Sequence, residues 1–246
     1  MSARPDIDRD AVRRRAVDGA PLLVLLHGYG SDENDLFGLV PYLPDDLGIA
    51  SLPAPHAAPW PSPGRSWYPI DELERGDASA ATASAEAVLR WLDENAGDAP
   101  AIALLGFSQG ASIALQALRL ASSRIDAVVN LSGFVVPGDL PQDAELRARR
   151  TPAFWGRGTR DDVIREELIA LTAQWMPDHT ELSGRVYPGL THSVSEEELA
   201  DVRTFLERWR ERCGAGAGAG AGADEDRAGD GEDRAGDGQA PGSDGG

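Results

Sequence analysis

The residues best suited to chemistry centre on Ser108, in the segment Gly106-Phe-Ser108-Gln-Gly110. The segment fits the pattern G-x-S-x-G and joins a predicted strand over 101–105 to a predicted helix that begins at Gln109. In such a sharp strand-to-helix turn the serine hydroxyl stands above the sheet, and the free N–H groups of the helix face the place where an oxyanion would form. The context therefore predicts a nucleophilic serine for acyl transfer.

An activated serine needs a general base, and two of the four histidines, His179 and His192, follow it in the chain. His192 lies in Pro188-Gly-Leu-Thr-His192, in a loop after a predicted strand over 185–187. Loops at the carboxyl ends of strands are where active sites of α/β proteins assemble. His179 lies in a stretch that indicates a surface turn after a helix. We therefore predict that His192 is the base.

The base needs a carboxylate to orient it, and in this order of residues the acid lies between the serine and the histidine. Asp161 and Asp162 are adjacent candidates after a predicted strand over 153–155. Neighbouring side chains diverge, so only one of the two can face His192. We expect the other to cap a helix that begins near Val163. Spacing alone leaves the choice open.

Short apolar segments alternate with helical patterns along residues 1–213, and they predict the framework that positions these residues. The predicted strands cover 22–26, 49–52, 101–105, 127–131, 153–155 and 185–187, and the predicted helices cover 79–95, 109–121, 163–175 and 195–212. Continuous apolar strands between amphipathic helices are typical of a mostly parallel sheet with helices on both faces. The sequence therefore predicts one α/β domain.

The composition excludes several classes of function. The 246 residues include 41 Asp and Glu against 23 basic residues, all of them Arg, for a formal net charge of −18. So large an acid excess argues against nucleic acid or an anionic membrane surface as the main partner. The lack of Lys excludes a Schiff-base mechanism, and the single cysteine, Cys213, excludes a disulfide framework and a Cys-rich zinc site. With only strand-sized apolar segments, we expect a cytoplasmic protein without membrane insertion.

The composition changes abruptly after Cys213. Residues 214–223 alternate Gly and Ala, and residues 224–246 contain eight acids, two Arg and no large apolar side chain. Such a segment buries too little apolar surface to offset the entropy of ordering. We therefore predict a catalytic domain over 1–213 and a disordered tail over 214–246, Gly/Ala-rich and then acidic. A partner-binding acidic arm is the alternative interpretation of this tail.

Four motifs, taken in order, resemble the phospholipase/carboxylesterase family of small serine esterases, which includes the acyl-protein thioesterases. They are Leu26-His-Gly-Tyr-Gly-Ser-Asp-Glu-Asn-Asp-Leu36, Gly106-Phe-Ser-Gln-Gly-Ala111, Leu131-Ser-Gly133 and the segment from Pro188 to His192. The resemblance implies the α/β-hydrolase fold with no metal or cofactor. It also aligns the triad acid with Asp161 and places Asp162 where the family usually has Pro.

The same resemblance implies roles for residues outside the triad. The backbone N–H groups of Tyr29 and Gln109 would form the oxyanion hole, and His27 would brace the loop beside them. Trp67, in Arg65-Ser-Trp67-Tyr-Pro, would give a flat apolar wall for the substrate chain, and a core position is the alternative for this residue.

Together these features predict a serine hydrolase that cleaves small carboxylic esters of short- to medium-chain acids through an acyl-enzyme intermediate. One alternative is a lysophospholipase or an acyl-protein thioesterase, either of which needs a longer apolar groove. A more remote alternative is a non-catalytic interaction module that acts through the acidic tail. A homodimer remains open.

Overall fold

The computed structural model describes residues 4–221, and its strands lie between Arg13 and Tyr187. The strands of this part are β1 Arg13–Arg15, β2 Leu22–Leu26, β3 Gly48–Leu52, β4 His56–Ala57, β5 Arg65–Ser66, β6 Ile102–Phe107, β7 Ala127–Leu131, β8 Pro152–Gly158 and β9 Glu181–Tyr187. Within these residues seven strands form one sheet in the order β1-β3-β2-β6-β7-β8-β9, and β4 pairs with β5 in a separate hairpin. The sheet is parallel except for β1, which pairs antiparallel with β3.

The helices connect the strands or follow the last one, and they cover the sheet on both faces. They are α1 Glu33–Phe37, α2 Ile70–Glu74, α3 Ser79–Asn95, α4 Gln109–Leu120, α5 Asp143–Arg149, α6 Glu166–His179 and α7 Glu196–Ala221. Helices α3 to α6 contribute to one core cluster, and α1 and α7 to the other. No helix within residues 4–221 combines the length and the hydropathy needed to cross a lipid bilayer.

Side-chain alternation along the strands explains why both faces must be apolar. In β2, Leu23 and Leu25 belong to the cluster under α1 and α7, whereas Val24 and Leu26 belong to the cluster under α3 and α4. Because successive side chains point to opposite faces, a strand buried on both faces reads as an uninterrupted apolar run. The predicted mostly parallel sheet with helices on both faces is confirmed.

The structure corrects three details of the predicted framework. The last helix does not end at residue 212 but continues to Ala221, into the first part of the predicted tail. The rest of that predicted tail, 222–246, lies outside the described residues. Strand β1 was not predicted, because its three arginines carry no apolar pattern, yet its backbone pairs with β3. Helix α6 begins at Glu166 rather than near residue 163.

Candidate active site

Ser108 lies at the sharp turn between β6 and α4, at the carboxyl end of the sheet. Its backbone has φ 54° and ψ −117°, a conformation that costs energy for a residue with a Cβ. The turn is tight enough to require glycine on both sides. A Cβ at Gly106 would lie 2.4 Å from the backbone of Gly110, and a Cβ at Gly110 would lie 2.0 Å from the carbonyl oxygen of Leu26. The two glycines therefore let helix and strand approach closely enough to form this turn.

The structure brings Ser108, His192 and Asp161 together in one hydrogen-bonded series. Nε2 of His192 lies 2.9 Å from Oγ of Ser108, and Nδ1 of His192 lies 2.8 Å from Oδ2 of Asp161. Three different loops supply these residues, after β6, β8 and β9. The Asp161 side chain is 2% exposed and that of His192 is 15% exposed, so the carboxylate is shielded while the imidazole stays accessible. The phenyl ring of Phe107 lies against the imidazole, 4.9 Å between centroids.

Of the two adjacent acids, Asp161 faces the imidazole and Asp162 is exposed. The expectation that the acid not facing His192 would cap the next helix is wrong. Oδ1 of Asp161 accepts hydrogen bonds from the backbone N–H groups of Val163 at 3.0 Å and Ile164 at 3.3 Å. One carboxylate thus holds the turn with one oxygen and meets His192 with the other, which fixes its orientation.

His179 does not lie in a surface turn, as we had expected. It is the last residue of α6 and is 5% exposed, with its ring stacked on that of Trp175 at 4.1 Å between centroids. Its Nδ1–H donates to the Trp175 carbonyl at 2.8 Å, and Nε2 lies 3.1 Å from the guanidinium of Arg147. The ring of His179 is therefore engaged in packing and hydrogen bonds within the structure.

The loop after β2 places the backbone of Tyr29 beside the start of α4. Within the described residues, neither the Tyr29 nor the Gln109 backbone N–H donates to a protein acceptor. His27 supports this loop from beneath: its Nδ1–H donates to the Gly28 carbonyl at 2.7 Å, and its Nε2 accepts from the Ala54 N–H at 3.0 Å. Burial lowers the pKa of His27, which agrees with a neutral ring that accepts at one nitrogen.

The structure contradicts the prediction that Trp67 forms a wall of the substrate site. Trp67 is 0% exposed, and its indole Nε1–H donates to the His27 carbonyl at 2.8 Å. Its neighbour Tyr68 lines the cavity instead. The two residues are adjacent in a bend directly after β5, and only Tyr68 reaches the cavity, so the sequence identified the segment and the wrong residue in it.

The side chain of Gln109 has a role that the sequence did not indicate. Its Oε1 accepts from the Trp67 backbone N–H, and its Nε2 donates to the Tyr68 carbonyl, both at 2.8 Å. The Tyr68 hydroxyl in turn lies 2.9 Å from Oγ of Ser112, which donates to the Gln109 carbonyl at 2.8 Å. These bonds hold the Trp67–Tyr68 segment against the start of α4.

A cavity of about 320 Å³ opens beside Ser108 and His192. Apolar and aromatic side chains that the sequence did not single out form much of its lining, namely Tyr68, Ile70, Leu73, Phe134, Ile164 and Leu168. Three charged and exposed residues, Asp35, Glu74 and Arg165, also border it. The short helix α2 supplies Ile70 and Leu73 three residues apart, a spacing that could have indicated one helical face. In residues 4–221 no cluster of three or more His, Cys, Asp or Glu side chains is arranged to hold a metal ion.

Comparisons with known proteins agree with this architecture. The profile of the Phospholipase/Carboxylesterase family matches residues 8–210. The chain is 31% identical to acyl-protein thioesterase 1 of Candida albicans over 213 residues. The alignment covers 75% of this chain and 90% of that protein. Acyl-protein thioesterase 1 of Debaryomyces hansenii is 36% identical over 115 residues, so the match spans only 50% of that relative and 45% of this chain.

Among solved structures, esterase PE8 is 28% identical with a TM-score of 0.64, and the alignment covers 84% of this chain and 99% of that one. The similarity covers most of both chains, and it confirms the predicted α/β-hydrolase fold. The resemblance inferred from four short motifs therefore holds over the folded part of the molecule: the chain belongs to the phospholipase/carboxylesterase family.

Proposed function

We propose that this chain is a serine hydrolase that cleaves small carboxylic esters through an acyl-enzyme intermediate. The observation that carries the proposal is the hydrogen-bonded series from Oγ of Ser108 through His192 to Asp161. A serine in contact with a base that a buried carboxylate orients is the arrangement that activates a hydroxyl for nucleophilic attack. The family and its named esterase and thioesterase members support the same class of reaction.

In the proposed reaction, Oγ of Ser108 attacks the ester carbonyl while Nε2 of His192 takes the hydroxyl proton. Asp161 accepts from Nδ1–H, which keeps the imidazole in the required tautomer and stabilises its charged form. The backbone N–H groups of Tyr29 and Gln109 stabilise the oxyanion of the tetrahedral intermediate. Each such donor is typically worth about 3–4 kcal/mol of transition-state stabilisation.

The intermediate collapses when His192 gives its proton to the leaving alkoxide oxygen, which releases the alcohol and leaves the acyl group on Ser108. A water molecule then transfers a proton to His192 and attacks the acyl carbonyl. Release of the carboxylic acid returns the proton to Ser108. The steps need the three side chains and the two amides.

The size of the cavity favours acyl chains of short to medium length. Its volume of about 320 Å³ lies at the small end of the range of about 300–1,000 Å³ that is usual for small-molecule sites. Apolar walls at Leu73, Phe134 and Leu168 suit an alkyl chain rather than a charged acid. We therefore expect turnover to peak between butyryl and octanoyl esters.

Acyl-protein thioesterase activity is the second candidate, because the relatives from Candida albicans and Debaryomyces hansenii carry that name. A series of p-nitrophenyl esters from acetyl to palmitoyl separates the two. A maximum at dodecanoyl or longer would favour the thioesterase or a lysophospholipase over the short-chain esterase. Parallel assays on matched oxygen esters and thioesters would show which bond is preferred.

The assignment is tested by replacing Ser108 with alanine. We expect hydrolysis of p-nitrophenyl butyrate to fall by about 10⁶-fold, and labelling by a fluorophosphonate reagent to disappear. Ser132→Ala is the matched control, since Ser132 also follows a strand with positive φ, 50°, and is buried. Near-normal hydrolysis by Ser108→Ala would refute the assignment of Ser108 as the nucleophile. A wild-type chain that neither hydrolyses the ester nor reacts with the reagent would favour a non-catalytic module.

A further inference from the structure

A buried threonine that the proposed reaction does not use lies behind the wall of the active-site cavity. Thr172 is in the middle of α6 and is 0% exposed. A buried hydroxyl is unfavourable unless it is hydrogen-bonded, and a valine would have nearly the same shape without that cost. The hydrogen bonds of Thr172 therefore indicate what its polar atom does.

The hydroxyl of Thr172 makes two hydrogen bonds, and both lead to the cavity wall. It donates to the carbonyl of Leu168 at 2.7 Å, which is the local bond that a helical threonine often makes. It also accepts from the backbone N–H of Val135 at 3.0 Å, in the loop after β7. Leu168 lines the cavity, and so does Phe134, which directly precedes Val135. One oxygen atom therefore links two parts of the wall that are distant in the chain.

The N–H of Val135 depends on this hydroxyl. Val135 is 1% exposed and lies beyond the end of β7, so it takes no part in the hydrogen-bonded ladder of the sheet. Within the described residues, its N–H donates to the Thr172 hydroxyl and to no other acceptor. A buried backbone N–H without an acceptor is strongly unfavourable. The bond to Thr172 therefore holds this segment in place.

The inner end of the same loop is fixed beside Ser108. The N–H of Gly133 donates to Oδ1 of Asn130 at 2.8 Å. A Cβ at Gly133 would lie 3.0 Å from the carbonyl oxygen of Ser108, so the backbone here rests against the start of α4. Phe134 stands between this contact and the hydrogen bond to Thr172. The two anchors together set the position of Phe134 relative to Ser108.

A buried arginine holds the outer part of the loop. The Arg119 side chain is 1% exposed, and its guanidinium donates to the carbonyl of Val136 at 2.7 Å and to that of Gly138. Arg119 thus ties the loop to α4, whereas Thr172 ties it to α6, the helix that carries Leu168. The hydroxyl of Thr172 is therefore the link that sets one wall of the cavity against the other.

We propose that the hydroxyl of Thr172 positions the wall of the acyl-binding cavity and thereby limits the length of the acyl chain. This inference rests on the proposed esterase function. By joining Val135 to Leu168, the hydroxyl fixes the separation between Leu168 and Phe134. Without it, the buried N–H of Val135 turns toward another acceptor or water, and Phe134 moves with it. The wall then yields to longer acyl chains.

The test compares Thr172→Val, which removes the hydroxyl and keeps the shape, with Thr172→Ser, which keeps the hydroxyl. The readout is kcat/KM for p-nitrophenyl acetate, butyrate, octanoate and decanoate. In Thr172→Val the ratio of the decanoate to the butyrate value should rise by about tenfold, the lower end of what one methylene changes in a hydrophobic site. The acetate should change little, because its acyl group ends nearest to Ser108. Thr172→Ser should keep the wild-type ratio.

Thr180→Val is the matched control, because Thr180 follows the last residue of α6 and is also 0% exposed. Its hydroxyl donates to the Met176 carbonyl at 2.8 Å, as that of Thr172 does to Leu168, but Thr180 does not line the cavity. We expect this variant to keep the wild-type ratio. Thermal unfolding of each variant separates lost stability from altered specificity, and Thr172→Ala replaces Thr172→Val if the latter folds poorly.

An unchanged ratio in Thr172→Val, whatever its melting temperature, would overturn the inference, because the hydroxyl would then have a structural role alone. A rise of the same size in Thr172→Ser or Thr180→Val would also overturn it, since neither variant removes the bond from Val135. A wild type that hydrolyses none of the four esters would instead refute the esterase function, and this inference with it.

Discussion

Replacing Glu198 with glutamine should remove a pH dependence of stability that the wild-type protein carries. Glu198 lies in the first turn of α7 and is 0% exposed. One carboxyl oxygen lies 2.1 Å from where a Cβ of Gly156 would be, and neither oxygen has a hydrogen-bond partner within the described residues. Burial raises the pKa of Glu198 to about 7, and nearby Asp201 acts in the same direction.

The sign of the effect follows from the number of protons bound in each state. Between its ordinary pKa of 4.5 and the raised value, the folded protein holds a proton on Glu198 that the unfolded chain has released. The free energy of unfolding therefore falls as the pH rises through this window and levels off above pH 7. With 1.36 kcal/mol for each pKa unit, this residue accounts for a loss of about 2–3 kcal/mol between pH 5 and pH 8. That is a large part of the stability of an ordinary domain.

The measurement is urea unfolding, followed by tryptophan fluorescence at pH 5, 6, 7 and 8, of the wild type and two variants. Glu198→Gln should lose less stability than the wild type across this range, by about 2–3 kcal/mol. The control is Glu197→Gln, which changes an exposed neighbour on the same turn and should follow the wild type. Parallel pH curves for the wild type and Glu198→Gln would refute the reasoning, because they would mean that Glu198 titrates alike in both states.

Two further substitutions test the geometry of the site and of the turn that carries the serine. Asp161→Asn should lower turnover of p-nitrophenyl butyrate by about 10⁴-fold, since it favours the wrong imidazole tautomer, while Asp162→Asn should change it only a few-fold; equal losses in the two variants would contradict the assignment of Asp161. Gly110→Ala should destabilise the fold by about 3 kcal/mol or more in thermal unfolding, since its Cβ would meet the Leu26 carbonyl oxygen. The control Gly97→Ala, where a Cβ would have no atom within 4 Å, should cause no measurable loss of stability. Similar melting temperatures for the two variants would show that the turn can relax.

The sequence predicted a strand or helix correctly where the local pattern of apolar residues directly reflects how that element is buried. Strand β2 was predicted over 22–26 and spans Leu22–Leu26, because a run that is apolar at every position can only be buried on both faces. Helix α3 was likewise predicted with its observed bounds, Ser79–Asn95. Strand β1 escaped notice because pairing at a sheet edge uses backbone groups, which arginine side chains neither indicate nor prevent.

Prediction from the sequence failed where the direction of a side chain decides its role. Trp67 and Tyr68 occupy one segment, yet the first is buried against His27 and the second lines the cavity. Glu198 belongs to an acidic first turn that suits a helix dipole, and only the packing of α7 against Gly156 shows that this one carboxyl is buried. Such outcomes depend on contacts between residues that are far apart in the chain.

The sequence by itself determined the class of the fold, the candidate serine and the candidate histidine, because a strand–Gly-x-Ser-x-Gly–helix turn and a histidine after a later strand are local patterns with one physical interpretation. The family resemblance aligned the triad acid with Asp161, but only the tertiary structure shows that Asp161 and not Asp162 faces His192, since their spacing from His192 is nearly the same and their directions are not. It alone brought the loop between β4 and β5 against the segment after β2, because the contact of Ser62 with Gly30 joins residues that the sequence keeps apart.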